Sequence, residues 1–195
     1  MNRNKYVYKN NTQEQLKMLL NKNLIISILL TLIALTPLTI NATTLKVGDK
    51  APNFNLQATT GDYYQLSDYK GKQAVVIAWY PMANTSGCTI ECKSITEQGH
   101  LIREFNVSYV MASVDPIDDN RDFAEKTGAD FPMLSDPSKE AAKAYDVLNF
   151  FKVANRVTFY IDKTGTIVKI DEDINPETAA EDMARSLQQL GIEKI

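Results

Sequence analysis

The chain predicts an α/β fold, a three-layer sandwich with a mixed central sheet flanked by helices. Three observations point to it. The apolar run Ala74-Val75-Val76-Ile77-Ala78-Trp79 lacks alternation and so reads as a strand buried on both faces. Strand-like and helix-like stretches alternate from there to about residue 145. The chain closes with strands over 157–161 and 167–170, joined by the hairpin signal Asp162-Lys163-Thr164-Gly165, and a last helix over 176–190.

In chain order, the first 42 residues stand apart from this pattern. Residues 24–40 are apolar apart from Ser27, Thr31, Thr36, Pro37 and Thr39; Lys17 and Lys22 precede them and Asn41-Ala42 follow. Basic region, apolar region and a small residue make the order of a secretory signal, with cleavage expected after Ala42. Seventeen residues are at the short end for a bilayer span, which takes about 20. Retention of 24–40 as an uncleaved membrane anchor is the alternative. The polar, Asn-rich stretch before Met18 leaves Met18 open as a second candidate start.

The folded body is then 43–195, the size of one ordinary domain. It opens with an extended arm, Leu45-Lys46-Val47-Gly48-Asp49-Lys50-Ala51-Pro52. Residues 53–57 alternate as a short strand, and Thr60-Gly61-Asp62 turns the chain into 63–66. The turn Lys70-Gly71-Lys72 leads into the buried strand at 74–79. A loosely patterned helix is expected over 89–105, carried by Ile90, Ile95, Leu101, Ile102 and Phe105, followed by a strand at 107–114. Residues 118–127 read as a helix with Phe123 and Ala124 inward, and 131–134 as a brief strand. Ser138 is the expected cap of a helix running through Tyr145.

Without residues 1–42 the body carries 16 basic and 23 acidic side chains, a net charge of −7. Such a balance argues against nucleic acid or an anionic membrane surface as partner. Export places the body in an oxidising compartment, the periplasm, or on the inner membrane if 24–40 is retained. In such a compartment a cysteine pair is often structural.

The only two cysteines, Cys88 and Cys92, lie just after Tyr80-Pro81-Met82-Ala83-Asn84-Thr85-Ser86-Gly87, between the buried strand and helix-like sequence. A thiol at a strand-to-helix turn meets free backbone N–H groups and the positive end of a helix dipole, which favour the reactive thiolate. Residues four apart on a helix have Cβ atoms about 5–6 Å apart. A disulfide needs about 3.5–4.5 Å. A Cys88–Cys92 bond therefore requires the first turn to distort, and so short a loop constrains the unfolded chain little. A structural staple explains the pair poorly. A metal site explains it worse: His100, the only histidine, is eight residues beyond Cys92, and zinc normally needs four ligands. No cofactor or metal site is expected, and His100 reads as a helix-surface or partly packed residue.

Pro81, Thr85 and Cys88 form Pro-x-x-x-Thr-x-x-Cys, and with this motif the chain resembles the peroxiredoxins, in particular the bacterioferritin comigratory protein or peroxiredoxin Q branch. Three further segments are similar in the same order: residues 47–54, Ser113-Val114-Asp115 with 131–137, and Arg156-Val157-Thr158-Phe159-Tyr160-Ile161-Asp162. The resemblance implies a thioredoxin-like fold and a thiol-dependent peroxidase acting on hydrogen peroxide and organic hydroperoxides. It implies Cys88 as the peroxidatic cysteine, which passes through a sulfenic acid. Thr85 would hydrogen-bond the thiolate and peroxide, Pro81 would shape the loop and shield the sulfur, and Arg156 would stabilise the negative charge. Glu91 matches a glutamate able to orient that arginine, with a solvated helix residue as the plain alternative. Trp79 and Tyr80 are packing residues that also wall the pocket.

Many members of this branch carry the resolving cysteine five residues after the first, where this chain has Lys93. Cys92 is the expected substitute, giving a Cys88–Cys92 disulfide regenerated by a thioredoxin- or glutaredoxin-like reductant. The alternative is a one-cysteine enzyme resolved by an external thiol. A monomer or weak dimer is expected from the branch. Two other classes stand beside the peroxidase. A thioredoxin-type thiol–disulfide oxidoreductase would use Cys-x-x-Cys, against three intervening residues here. A non-catalytic module on the same fold has no need of Thr85, Cys88 and Arg156 together.

Overall fold

The computed structural model describes residues 44–195 and, ahead of them, only Asn21 and Lys22; the signal or anchor expected over 1–42 otherwise lies outside the described residues. The body is built around the apolar run read above. That run forms β3 (Ala74–Trp79), and all six of its side chains are buried. β4 (Val107–Ser113) lies parallel on one side of it, and β6 (Val157–Ile161) antiparallel on the other.

β5 (Met133–Ser135) extends the sheet parallel to β4, and β1 (Asn55–Ala58) and β2 (Tyr63–Gln65) finish that edge antiparallel. β7 (Ile167–Asp171) closes the other edge as the hairpin partner of β6. The seven-stranded mixed sheet runs β2-β1-β5-β4-β3-β6-β7, as the alternation of elements predicted. Asp162 Oδ1 accepts the N–H groups of Thr164 and Thr166, which folds the β6–β7 turn, and Gly165 takes φ 79°. The arm at 45–52 is pinned by Gly48 N–H to Ile167 O and Ala51 N–H to Gly165 O.

Side chains alternate from β3 into two cores. Val75, Ile77 and Trp79 join Phe54, Tyr145 and Phe159 on one face. Val76, Ala78 and Tyr80 join both cysteines, Phe123, Met111 and Met183 on the other. The second face is covered by α1 (Ser86–Ile102), α2 (Ile117–Thr127) and α4 (Ala179–Gln189). The first carries the five-residue α3 (Glu140–Ala144) and irregular segments. Each fully buried Ile, Phe or Met in these cores stabilises the fold by about 1.5–3 kcal/mol.

Two local expectations are corrected. Ser138 is not the cap of α3: Lys139 stands at the N-cap with φ 64°, and the Asp136 carboxylate accepts the Ala142 N–H at 2.8 Å. Ser138 Oγ still accepts the Glu140 N–H at 3.3 Å while donating to Asp136 Oδ1, so the serine and the buried acid share the start of the helix. Helix α1 begins at Ser86, three residues earlier than its apolar pattern indicated, and Ile90 points out at 43 % exposure. The inward face of α1 is Cys88, Glu91, Cys92, Ser94, Ile95, Gly99 and Ile102, mostly small or polar residues that hydropathy does not register. Ala124, expected inward with the fully buried Phe123, packs against the second core while half-buried.

Candidate active site

Register brings the site together. β6 pairs Val157 with Trp79, so Arg156, the residue just before β6, stands level with the end of β3 where the chain turns toward α1. There Arg156 Nη2 donates to Cys88 Sγ at 3.2 Å. Arg156 Nη1 forms an ion pair with Glu91 Oε2; Glu91 is 1 % exposed and the arginine side chain 20 %. Glu91 follows Cys88 by three residues, so both look from one helix face onto the same guanidinium. One planar cation thus holds the thiol and a buried carboxylate at once, the fixed fork geometry that arginine supplies and lysine does not. Gly87 gives it room: a Cβ there would stand 3.3 Å from Arg156 Nη2.

Cys88 is the third residue of α1 and is buried. The first helical bond runs from Thr89 N–H to Thr85 O, which leaves the N–H groups of Ser86, Gly87 and Cys88 outside the ladder. Thr85 occupies the N-cap in extended conformation but does not cap with its side chain. Its Oγ1 donates to Met82 O at 2.9 Å, closing the Met82–Thr85 turn and keeping its lone pairs free to accept. Of the other expected site residues, Thr85 is exposed and Pro81 half-buried, and the Thr85 hydroxyl bonds to Met82 O rather than to the sulfur.

Cys92 is wholly buried one turn further on, and both thiols are free. Its Sγ donates to Thr127 Oγ1 at 3.2 Å. Burial is the main cause that pushes the Cys92 thiol above its ordinary range. His100 is exposed on the outer face of α1, and no group of three His, Cys, Asp or Glu side chains among the described residues is placed to hold a metal ion.

Sequence reasoning missed the scaffold under the loop. Asn120, fully buried on α2, accepts from Tyr80 Oη at 2.7 Å and Ser113 Oγ at 3.2 Å, and donates to Leu134 O. Asp115 Oδ2 accepts the Ala83 N–H at 2.9 Å, and Asn84, at φ 61°, donates to Asp122. The chain from Tyr80 to Asn84 is therefore tied to α2 and the turn before it at three points. Trp79 and Tyr80 are buried packing residues, and burial pushes the Tyr80 phenol well above its ordinary range. Ser113-Val114-Asp115 was the one legible signal, noted as a segment without a role.

Comparison with known proteins supplies the family. Residues 47–170 match the AhpC/TSA family. Peroxiredoxin Bcp of Bacillus subtilis is 35 % identical over 133 residues, 65 % of this chain and 84 % of that protein. Peroxiredoxin Bcp of Escherichia coli is 29 % identical over 136 residues, 66 % of this chain and 86 % of that one. Among solved structures, peroxidoxin BcpB from Mycobacterium tuberculosis superposes with a TM-score of 0.68 at 29 % identity, covering 74 % of this chain and 97 % of that one. A PrxQ variant from Xylella fastidiosa gives 0.70 at 25 % identity, covering 77 % and 99 %.

Proposed function

Since this chain belongs to the AhpC/TSA family and is a thiol-dependent peroxidase, we propose that Cys88 is its peroxidatic sulfur. One observation carries the assignment: the Arg156 guanidinium donates to Cys88 Sγ at the start of a helix. In this reading the Cys88 thiolate attacks one peroxide oxygen and the O–O bond breaks. The sulfur becomes a sulfenic acid, and the other oxygen leaves as water or an alcohol once it takes a proton. Arg156 and the free N–H groups of the first turn of α1 bear the negative charge as it shifts from sulfur to oxygen. Thr85 Oγ1, with lone pairs uncommitted, accepts from the peroxide, and Pro81 shields the sulfur from water. Glu91 keeps the guanidinium turned toward the thiol.

Cys92 is proposed as the resolving thiol. It displaces hydroxide from the Cys88 sulfenic acid, giving a disulfide and water, and a thioredoxin-type dithiol then reduces the bond and is itself oxidised. Burial of Cys92 favours a second reading, in which an external thiol resolves Cys88 directly. One equivalent of hydrogen peroxide followed by mass mapping separates them. The first reading expects a Cys88–Cys92 disulfide, and a Cys92→Ser protein that stalls with a dithiol donor. A wild type without that disulfide, and a variant that turns over unchanged, would establish the second. Export with cleavage after Ala42, or anchoring through 24–40, is proposed from the leader pattern alone, as is a monomer or weak dimer from the family; N-terminal sequencing and sedimentation test them.

A further inference from the structure

Helix α2 touches the machinery of both thiols. Near its start, Asn120 and Asp122 hold the loop that leads to Cys88, and Thr127, its last residue, meets Cys92. The Thr127 hydroxyl donates to Phe123 O at 2.7 Å. Its own hydrogen is thus spent within α2, and what it offers Cys92 is a lone pair. The contact accordingly fits a neutral thiol that donates, and it offers nothing to a thiolate. Resolution makes the opposite demand. The attacking sulfur must shed its proton, and it must turn toward Cys88 across a helical spacing too wide for a disulfide. Both demands break the same hydrogen bond.

We propose that Thr127 is a positioning residue that latches Cys92 in its buried, non-attacking state, so that release of this contact limits conversion of the Cys88 sulfenic acid to the disulfide. The inference rests on the resolving role proposed for Cys92. In the step itself the S–O bond of Cys88 breaks and the S–S bond forms. The Cys92 sulfur is oxidised as the Cys88 sulfur is reduced, and the Cys92 proton leaves with the hydroxide as water. A second peroxide competes for the same sulfenic acid and carries it to the sulfinic acid. The strength of the latch therefore sets the peroxide concentration at which the enzyme inactivates itself.

Thr127→Val keeps the shape of the side chain and removes the acceptor; Thr127→Ser restores it. Single-turnover quench with mass detection reads sulfenic acid, disulfide and sulfinic acid separately. Because S–H is a weak donor, the expected acceleration of disulfide formation in Thr127→Val is modest, about three- to fivefold. Peroxide attack at Cys88 should be unchanged, sulfinic acid should need proportionately more peroxide, and Thr127→Ser should behave as wild type. Ala124→Gly loosens the same helix while keeping both side chains of the contact and the Ala124 carbonyl that the Thr127 hydroxyl also meets at 3.3 Å, and serves as control. An equal or slower rate in Thr127→Val overturns the proposal, as does an equal acceleration in Ala124→Gly. If no disulfide forms in any of these proteins, the resolving role fails and the latch falls with it; a disulfide formed at unaltered rate sinks the latch alone.

Discussion

Replacing Arg156 by Met removes the cation that faces both Cys88 and Glu91, and the two losses can be told apart. Glu91 is 1 % exposed, so without its partner a carboxylate is stranded in the second core. Stranding one member of a buried pair costs about 3–5 kcal/mol, and the partial exposure of Arg156 puts the expectation near 3. Losing the donor aimed at the reacting charge should slow peroxide attack by about 100-fold or more. Adding Glu91→Gln to Arg156→Met replaces the stranded charge with a neutral amide. The double variant should regain about 1–2 kcal/mol while its rate stays low, because a neutral buried group costs less than a charge. Urea unfolding followed by circular dichroism gives the stabilities. Stopped-flow fluorescence of Trp79, the sole tryptophan and two residues ahead of Pro81, gives the rate. A double variant no more stable than the single one, or an Arg156→Met protein within threefold of the wild-type rate, would refute the reasoning.

Gly87→Ala sets two effects against each other. Relieving a helical glycine stabilises α1 by about 0.5–1 kcal/mol. The new Cβ, 3.3 Å from Arg156 Nη2, pushes the guanidinium off the sulfur, so thermal unfolding should show an equal or firmer protein and kinetics a several-fold slower one. Asn120→Ala leaves the Tyr80 hydroxyl and the Leu134 carbonyl without their partner in the second core, at a cost of about 2–3 kcal/mol in urea unfolding. The KM for peroxide should rise along with that cost as the loop loosens. In a Cys88→Ser background, Cys92 should resist iodoacetamide from pH 7 to 9 and react freely in urea, because burial raises its thiol above the ordinary value. By linkage, the stability Cys92 contributes is complete below the ordinary thiol value and is lost as pH climbs toward the raised one. Native alkylation at the unfolded rate would contradict this.

Elements that bury apolar chains were easy to read in the sequence. β3 announced itself by six consecutive buried residues, and the β6–β7 hairpin by the Asp162–Gly165 turn. The motif through Pro81, Thr85 and Cys88 pointed at the right end of the right strand. α1 was hard to delimit for a physical reason: its inner face is built from sulfur, polar and small side chains. A thiol, a carboxylate and small side chains sit where leucines would have marked the period. The Asn120 scaffold was equally hidden, since a buried amide with three hydrogen bonds has the same letter as a solvated one. That Arg156 would reach Cys88 depended on an antiparallel register between β3 and β6, which local pattern does not encode.

That register also fixes when the thiol meets its cation. Cys88 and Arg156 are 68 positions apart, so a chain emerging in order exposes the cysteine long before its cation exists. Only when β6 docks beside β3 does the guanidinium arrive. A slip of one residue in that pairing would turn Arg156 to the opposite face of the sheet. Until the central strands have met in the correct register, Cys88 lacks its guanidinium contact. With Cys88 as the proposed peroxidatic sulfur, the nascent chain therefore passes through any peroxide-containing surroundings before that sulfur meets its cation, and peroxidase activity becomes a readout of correctly completed folding.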